Sequence, residues 1–238
     1  RKELWRTYSR DDAVSIWRFQ EDPRYLWSVV RDFLGDHEHV PNAAHHALAA
    51  LPSLAAVLTQ NVDDLHQRAD VERASSRPEM DTTERRPVVE LHGTLERTRC
   101  HGCGAGGARS HDYVGGDAPL PPRCPRCGDA LRPDVVLFGE HVAPDRLAEA
   151  IAWAERCDVM LVVGCAMDVA PASELPRLAA ARGAYVLEVN PTVSRITSAL
   201  GGGIRRGAAE EVLPALLTSV HAIREARVVG PSARSAAP

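Results

Sequence analysis

Two cysteine pairs constrain this chain more than any other feature. Cys100-x2-Cys103 and Cys124-x2-Cys127 are separated by 20 residues, and each pair is followed by a glycine, Gly104 or Gly128. Two such knuckles bring four thiolates around one tetrahedral ion, and the glycines suit the tight turn that each knuckle makes. Residues 95–131 surround the cysteines with Gly and Pro and few large apolar side chains, so they cannot build a core of their own. A zinc ion would supply on the order of 10 kcal/mol of folding free energy that burial does not provide there. Four protein ligands leave no position for water, so the expected metal is structural. Two disulfides are the alternative, but six cysteines in 238 residues are too few for a disulfide scaffold. His101 is a lesser candidate to replace one thiolate, and Cys157 and Cys165 have no partner by spacing.

Around this module the chain alternates short apolar runs with helical stretches. Ile16 to Leu34 is rich in apolar side chains and is expected as helix broken at Pro23, with Asp22 as a cap. Pro41-Asn42 opens a short Ala/Leu helix through Leu51. Residues 54–58 (LAAVL) and 88–91 (VVEL) are expected as buried strands, and 135–138 as extended chain. A helix over 145–156, a strand over 158–163, a helix over 172–182, a strand over 184–189 and a helix over 210–220 follow. Strands alternating with helices of this length imply an α/β fold: a Rossmann-like parallel sheet with helices on both faces, plus a small zinc-ribbon module and a helical segment. The expected organisation is 1–53, a helical segment and the start of the Rossmann-like domain; 54–94, its first part, with a polar insertion at 71–87 expected as an exposed loop; 95–132, the zinc module; 133–223, the second Rossmann-like part; and 224–238, a disordered tail.

In an open parallel sheet, ligands bind outside the carboxyl ends of the strands. Four such ends carry polar groups or glycine: Gln60-Asn61-Val62-Asp63, His92-Gly93, Gly164-Cys165-Ala166 and Asn190-Pro191-Thr192. Singly, each has a plain explanation, since Asn and Asp cap helices, a histidine can be a satisfied structural residue, and a glycine can mark a turn. Together they point to one ligand crevice. The net charge of −4 gives no footprint for nucleic acid. No apolar run reaches the ~20 residues that cross a bilayer, and no signal peptide is evident. A cytoplasmic protein with no direct nucleic-acid or membrane partner is therefore expected, its oligomeric state left open by the sequence.

At this level of detail the residues resemble a known family, the sirtuins. Thr59-Gln60-Asn61-Val62-Asp63-Asp64-Leu65-His66-Gln67-Arg68-Ala69 is similar to the family's Thr-Gln-Asn-Ile-Asp-x-Leu-His-x-Arg-Ala motif. Glu90-Leu91-His92-Gly93 resembles its His-Gly motif, and the four cysteines follow in the family's order. Arg132-Pro133-Asp134-Val135-Val136-Leu137-Phe138-Gly139-Glu140 is similar to its substrate-binding strand, and Val169-Ala170-Pro171-Ala172 with Leu175-Pro176 to a later stretch. The resemblance runs from about Trp5 to Leu217.

The resemblance implies an NAD-dependent protein-lysine deacylase that releases nicotinamide and O-acyl-ADP-ribose, acting on acyl-lysine proteins or peptides. It implies His92 as general base on a ribose hydroxyl, a role that suits an imidazole with a pKa near working pH. It further implies Asn61 orienting ribose and water, and Asp63 and Gln60 at the nicotinamide end with Val62 in the same loop. Gly164, Cys165, Ala166, Asn190, Pro191, Thr192 and Ala209 would line the adenosine side. Val135, Val136, Leu137, Phe138, Gly139 and Glu140 would offer a strand edge to the peptide. Zn2+ would be held by the four cysteines, and NAD would lie between the α/β domain and the zinc module.

The sequence departs from the family pattern in three places. The opening Gly-Ala-Gly-x-Ser loop and a Phe-Arg-Gly segment have no counterpart, implying either a chain shortened upstream or a degenerate member. Cys165 and Ala166 stand where the family has Thr and Ser, which implies weaker NAD binding through lost hydroxyl bonds. Val30 and Phe33 stand where some bacterial members have the Tyr and Arg that hold acidic acyl groups, implying a preference for uncharged acyl groups such as acetyl. ADP-ribosyl transfer or NAD hydrolysis on the same fold, and a non-catalytic binding role, are the alternatives.

Overall fold

The computed structural model describes residues 8–35, 39–76, 86–115, 119–194 and 199–229. In chain order the elements are helices α1 (Arg10–Ala13), α2 (Ile16–Glu21), α3 (Pro23–Leu34) and α4 (Ala43–Ala50), strand β1 (Val57–Thr59) and helix α5 (Leu65–Ser75). Strands β2 (Val88–Glu90), β3 (Gly93–Cys100) and β4 (Gly106–Gly107), helix α6 (His111–Val114) and strand β5 (Leu131–Val135) come next. Helix α7 (Pro144–Arg156), strand β6 (Val159–Val163), a 3-10 turn (Ala172–Glu174), helix α8 (Leu175–Ala181), strands β7 (Tyr185–Asn190) and β8 (Gly203–Arg206) and helix α9 (Ala209–Val229) complete the chain. The α/β class expected from the sequence is the class observed.

The chain divides into two compact units. The first comprises residues 1–40, 58–65 and 89–149; the second comprises 41–57, 66–88 and 150–238. In the first, α3 starts where its sequence dictates. The Asp22 side chain accepts from the Arg24 N–H at 3.1 Å, Pro23 occupies the first turn, and Gly35 ends the helix. One face of α3 buries Leu26, Trp27, Val29, Val30 and Leu34. They form a core with Phe19, Leu95, Ala130 and Leu137. Trp27 is fully buried, and its indole N–H donates to the Leu131 carbonyl at 2.8 Å, which fixes the helix to β5. Antiparallel β4, β3 and β5 form a three-stranded sheet whose strand β3 ends on Cys100.

In the second unit, β6, β7 and β8 form a parallel sheet in that order, in register from Val159–Tyr185 to Val163–Val189 and from Leu187–Gly203 to Asn190–Arg206. Val189 packs with Leu213 of α9 and with Ala44 and Ala47 of α4. Asn42 and His45 form a reciprocal cap at the start of α4. Its last carbonyls, those of Leu48 and Ala49, accept from the Arg86 guanidinium.

Two segment boundaries differ from the sequence expectation. Helix α5 continues to Ser75, so the stretch expected as an exposed loop from residue 71 opens as helix; residues 77–85 lie outside the described part. Its charged, weakly amphipathic sequence hid the continuation. Helix α9 runs to Val229, six residues into the segment expected as a disordered tail, and residues 230–238 lie outside the described part. Ala, Arg and Glu over 222–227 are strong helix formers that extend a packed helix without an apolar face.

Candidate active site

The first unit brings two of the expected strand ends together with the segment expected to bind peptide. The Leu91 N–H donates to the Thr59 carbonyl at 2.9 Å and the Leu95 N–H to the Val62 carbonyl at 2.9 Å. The Gln60–Val62 loop is thereby stitched along His92-Gly93-Thr94. The Val136 N–H donates to the His92 carbonyl at 2.9 Å, which adds the third segment. Thr59 turns its hydroxyl back to accept from the Asn61 N–H at 3.0 Å. Asp63 Oδ1 accepts from the Leu65 N–H at 3.4 Å, so Asp63 serves the start of α5.

The geometry explains the His-Gly pair. Gly93 has φ +78°, and a Cβ there would run into the Asp134 carbonyl, so only glycine fits. The half-buried imidazole of His92 has its pKa lowered below 6.5, chiefly by burial, while a hydrogen bond to the Gln60 main chain acts in the opposite direction. An imidazole that is neutral at neutral pH is able to accept a proton.

The segment expected to bind peptide is held from within. Phe138 exchanges main-chain bonds with Val14 and Ile16, donating at 2.9 Å and accepting at 3.0 Å. The Leu137 N–H donates to Glu140 Oε2 at 2.9 Å, and the Glu140 N–H returns to the Leu137 carbonyl at 2.9 Å. The N–H groups of Val136, Leu137 and Phe138 are thus committed inside the fold. Glu140 is further occupied by Arg132, which meets both its carboxylate oxygens at 2.7 Å. Sequence reasoning grouped Glu140 with the peptide contacts. An arginine inside the strand that follows the second knuckle, with a glutamate eight residues on, was the available signal for an internal pair. Phe138 and Trp17 remain exposed at 38% and 64%, the indole lying over Gly139.

The four cysteines converge. Their sulfur atoms all lie within 4.8 Å of one another, with Cys100 Sγ 3.4 Å from Cys127 Sγ and Cys103 Sγ 3.7 Å from Cys124 Sγ. Tetrahedral zinc with ~2.3 Å bonds requires sulfur separations of about 3.8 Å, so the donor set fits that ion. Cys100 accepts the Cys103 N–H at 3.4 Å, a bond that draws its thiol down to about 7 and favours the thiolate ligand. Gly104 and Gly128 adopt φ +68° and +79° after the knuckles. His101 packs edge-on against Phe19 instead, with ring centroids 5.2 Å apart.

In the second unit the remaining candidates gather at the carboxyl end of the parallel sheet. The Gly164 N–H donates to the Val189 carbonyl at 3.0 Å, and the Asn190 side-chain amide donates to the Cys165 carbonyl at 3.0 Å. Asn190 also donates to Glu188 Oε1 at 3.2 Å, and the fully buried Glu188 accepts from the Ser194 N–H and hydroxyl at 2.9 and 3.1 Å. The Gly207 N–H donates to the Asn190 carbonyl at 3.4 Å, two residues before Ala209 opens α9. Gly164-Cys165-Ala166, Asn190-Pro191-Thr192 and Gly207-Ala208-Ala209 therefore cluster at three adjacent strand ends, the place where α/β sheets bind nucleotides.

A four-cysteine cluster whose geometry fits zinc, a strand-tip imidazole and a parallel sheet with polar carboxyl ends define an α/β protein with a nucleotide-type strand edge. The Sir2 family model matches residues 2–171, and the chain belongs to that family. The NAD-dependent protein deacylase of Thermococcus kodakarensis is 40% identical over 95% of this chain and 85% of its own length. NAD-dependent protein deacetylase 1 of Pyrobaculum aerophilum is 37% identical over 90% and 79%. A solved Sir2 homologue in complex with NAD superposes with a TM-score of 0.79 at 33% identity, covering 94% of this chain and 82% of that one. A Sir2 structure bound to a myristoylated histone peptide gives a TM-score of 0.75 at 34% identity, covering 91% and 87%.

Proposed function

We propose that this chain is an NAD-dependent protein-lysine deacylase. The observation that carries this reading is the half-buried His92 imidazole bonded to the loop that bears Asn61 and Asp63, in a chain of the Sir2 family. NAD would supply an electrophilic ribose carbon, with nicotinamide as leaving group. His92 holds a nitrogen ready to take a proton from a ribose hydroxyl. Asn61 and Gln60 would orient the ribose and nicotinamide ends from the neighbouring loop, with Asp63 fixing that loop to α5. Gly164, Cys165, Ala166, Asn190, Pro191, Thr192 and Ala209 would hold the adenosine part. The four thiolates would bind zinc as a structural ion, because they fill all four positions. A cytoplasmic location suits cysteines that are not joined in disulfides. Among the described residues no helix is long and apolar enough to cross a membrane.

The substrate is proposed to be an acyl-lysine peptide running past Val135–Gly139. With the N–H groups of Val136–Phe138 already committed, such a peptide would meet the Gly139 main chain and the exposed faces of Phe138 and Trp17. Uncharged acyl groups are favoured, because Val30 is buried in the core and Phe33 stacks on His39 at 5.4 Å, so neither position offers a cation for an acyl carboxylate.

The test is to incubate the chain with NAD and acetyl-lysine or succinyl-lysine peptides and to follow nicotinamide and O-acyl-ADP-ribose by mass spectrometry. Turnover of the acetyl peptide that disappears in His92→Ala supports the reading. Nicotinamide release without any acyl-ADP-ribose, or ADP-ribose retained on protein, would replace it with NAD hydrolysis or ADP-ribosyl transfer.

A further inference from the structure

We infer that Arg132 and Glu140 form a positioning pair that sets the shape of the proposed peptide-binding segment, an inference that rests on the deacylase reading above. Arg132 has no solvent exposure, and its guanidinium meets both oxygens of Glu140 at 2.7 Å. The guanidinium is fully buried while the Glu140 side chain keeps 21% exposure, and such a pair gains little stability over an apolar pair of the same volume, because desolvation offsets the attraction. The added bonds indicate what the pair does. Arg132 Nη2 donates to the Val135 carbonyl at 2.6 Å, and Glu140 Oε2 accepts from the Leu137 N–H at 2.9 Å. Two charged side chains therefore grip the main chain at Val135 and Leu137, on the approach to the turn that presents Phe138 and Gly139.

The grip is anchored on its far side. The Phe19 ring lies 5.4 Å from the Arg132 guanidinium, and Arg132 pairs with Arg99 in the β3–β5 ladder. Arg99 sits 3.5 Å from Glu140 and 3.3 Å from Asp134, and Asp134 is also held by Arg146 at 3.1 Å. Burial acts to raise the Glu140 pKa, but Arg132 and the Leu137 N–H outweigh it and hold the carboxyl below its usual range, so the pair stays ionised. The charges are spent inside the protein, which makes Arg132 and Glu140 positioning residues and leaves substrate contact to their neighbours.

The experiment compares the zinc-loaded full chain with Glu140→Gln, Glu140→Asp and Arg132→Lys. Deacylation kinetics are measured with peptide and NAD varied separately, and amide hydrogen exchange is measured over residues 135–139. Glu140→Gln keeps the shape and loses the charge. It is expected to raise the peptide KM about tenfold, the size of one weakened charge-assisted bond, with kcat and the NAD KM within about twofold. The Leu137 amide is expected to exchange faster, and Glu140→Asp to restore part of both effects. Unchanged exchange at Leu137, or an equal fall of kcat and rise of both KM values, overturns the inference. If the wild-type chain turns over no acyl peptide, the deacylase reading fails, while exchange at Leu137 still decides whether the pair shapes the segment.

Discussion

The imidazole of His92 is hydrogen-bonded to the main chain of Gln60, one residue before Asn61, and burial lowers its pKa. This couples the ring to the loop that carries the other candidate groups and keeps it neutral. A base works in its deprotonated form, so in the proposed role of His92 activity requires a pH above its pKa in the folded protein. The kcat/KM profile is expected to fall on the acid side with an inflection below 6.5, the ordinary value for histidine. The sign for stability is the same. The unfolded chain binds the proton more readily than the folded one, so stability declines as pH drops below 6.5. Measurement of kcat/KM from pH 5 to 8 checks the first statement, and an inflection above 6.5 contradicts it.

The four-cysteine module is expected to need the proposed zinc ion for its fold. Residues 95–131 contribute few large apolar side chains, and the four sulfur atoms sit close together in a partly exposed setting where only a bound ion makes that arrangement favourable. Cys124→Ser is expected to abolish stoichiometric zinc and to destabilise β3–β5, seen as rapid amide exchange at Thr98–Cys100 and Leu131. Retention of one zinc per chain with native exchange would show that three thiolates suffice.

Much of this was legible in the residues. The knuckle spacing alone specified a four-thiolate cluster, since two Cys-x2-Cys turns have few other ways to satisfy their sulfurs. The runs over 158–163 and 184–189 read as parallel strands because helical stretches long enough to make the crossover alternate with them. What was not legible depends on long-range contacts. That Glu140 faces Arg132 and the Leu137 N–H is set by how β3 and β5 pair, and Glu140 looks like any other exposed carboxylate in the sequence. Likewise, the bonds from Phe138 to Val14 and Ile16 join residues more than 120 positions apart, beyond the reach of local periodicity.

Gly139 is expected to tolerate no side chain. It adopts φ +91°, and a Cβ would stand 2.6 Å from the Trp17 ring and 3.0 Å from Ile16 Cγ2. Gly139→Ala is therefore expected to cost about 1–3 kcal/mol, from left-handed strain plus displacement of the indole. Trp17 is 64% exposed, so its shift is cheaper than a core rearrangement and favours the lower end of that range. Denaturant unfolding gives the cost, and fluorescence reports the environment of Trp17 when compared with a Trp17→Phe background. An unchanged midpoint would mean that the turn relaxes without strain.

The strand ends of the second unit carry the last prediction. Cys165 and Ala166 stand where the family has hydroxyl side chains, yet the main chain around them is fixed. Asn190 holds the Cys165 carbonyl at 3.0 Å, and the buried Glu188 holds Asn190 and Ser194 in turn. A rigid frame that lacks two hydroxyls should gain from their return, at roughly 0.5–1.5 kcal/mol each if both reach the nucleotide. The double substitution Cys165→Thr and Ala166→Ser is expected to lower the NAD dissociation constant by about fivefold or more, with little change in Tm. Asn190→Ala is expected to act in the opposite sense, because freeing the Cys165 carbonyl loosens the same turn and leaves Glu188 short of a donor. Calorimetric titration with NAD measures both. If Asn190→Ala weakens binding while the double substitution has no effect, the frame is needed for NAD but positions 165 and 166 do not face it, and the adenosine assignment of Cys165 and Ala166 falls.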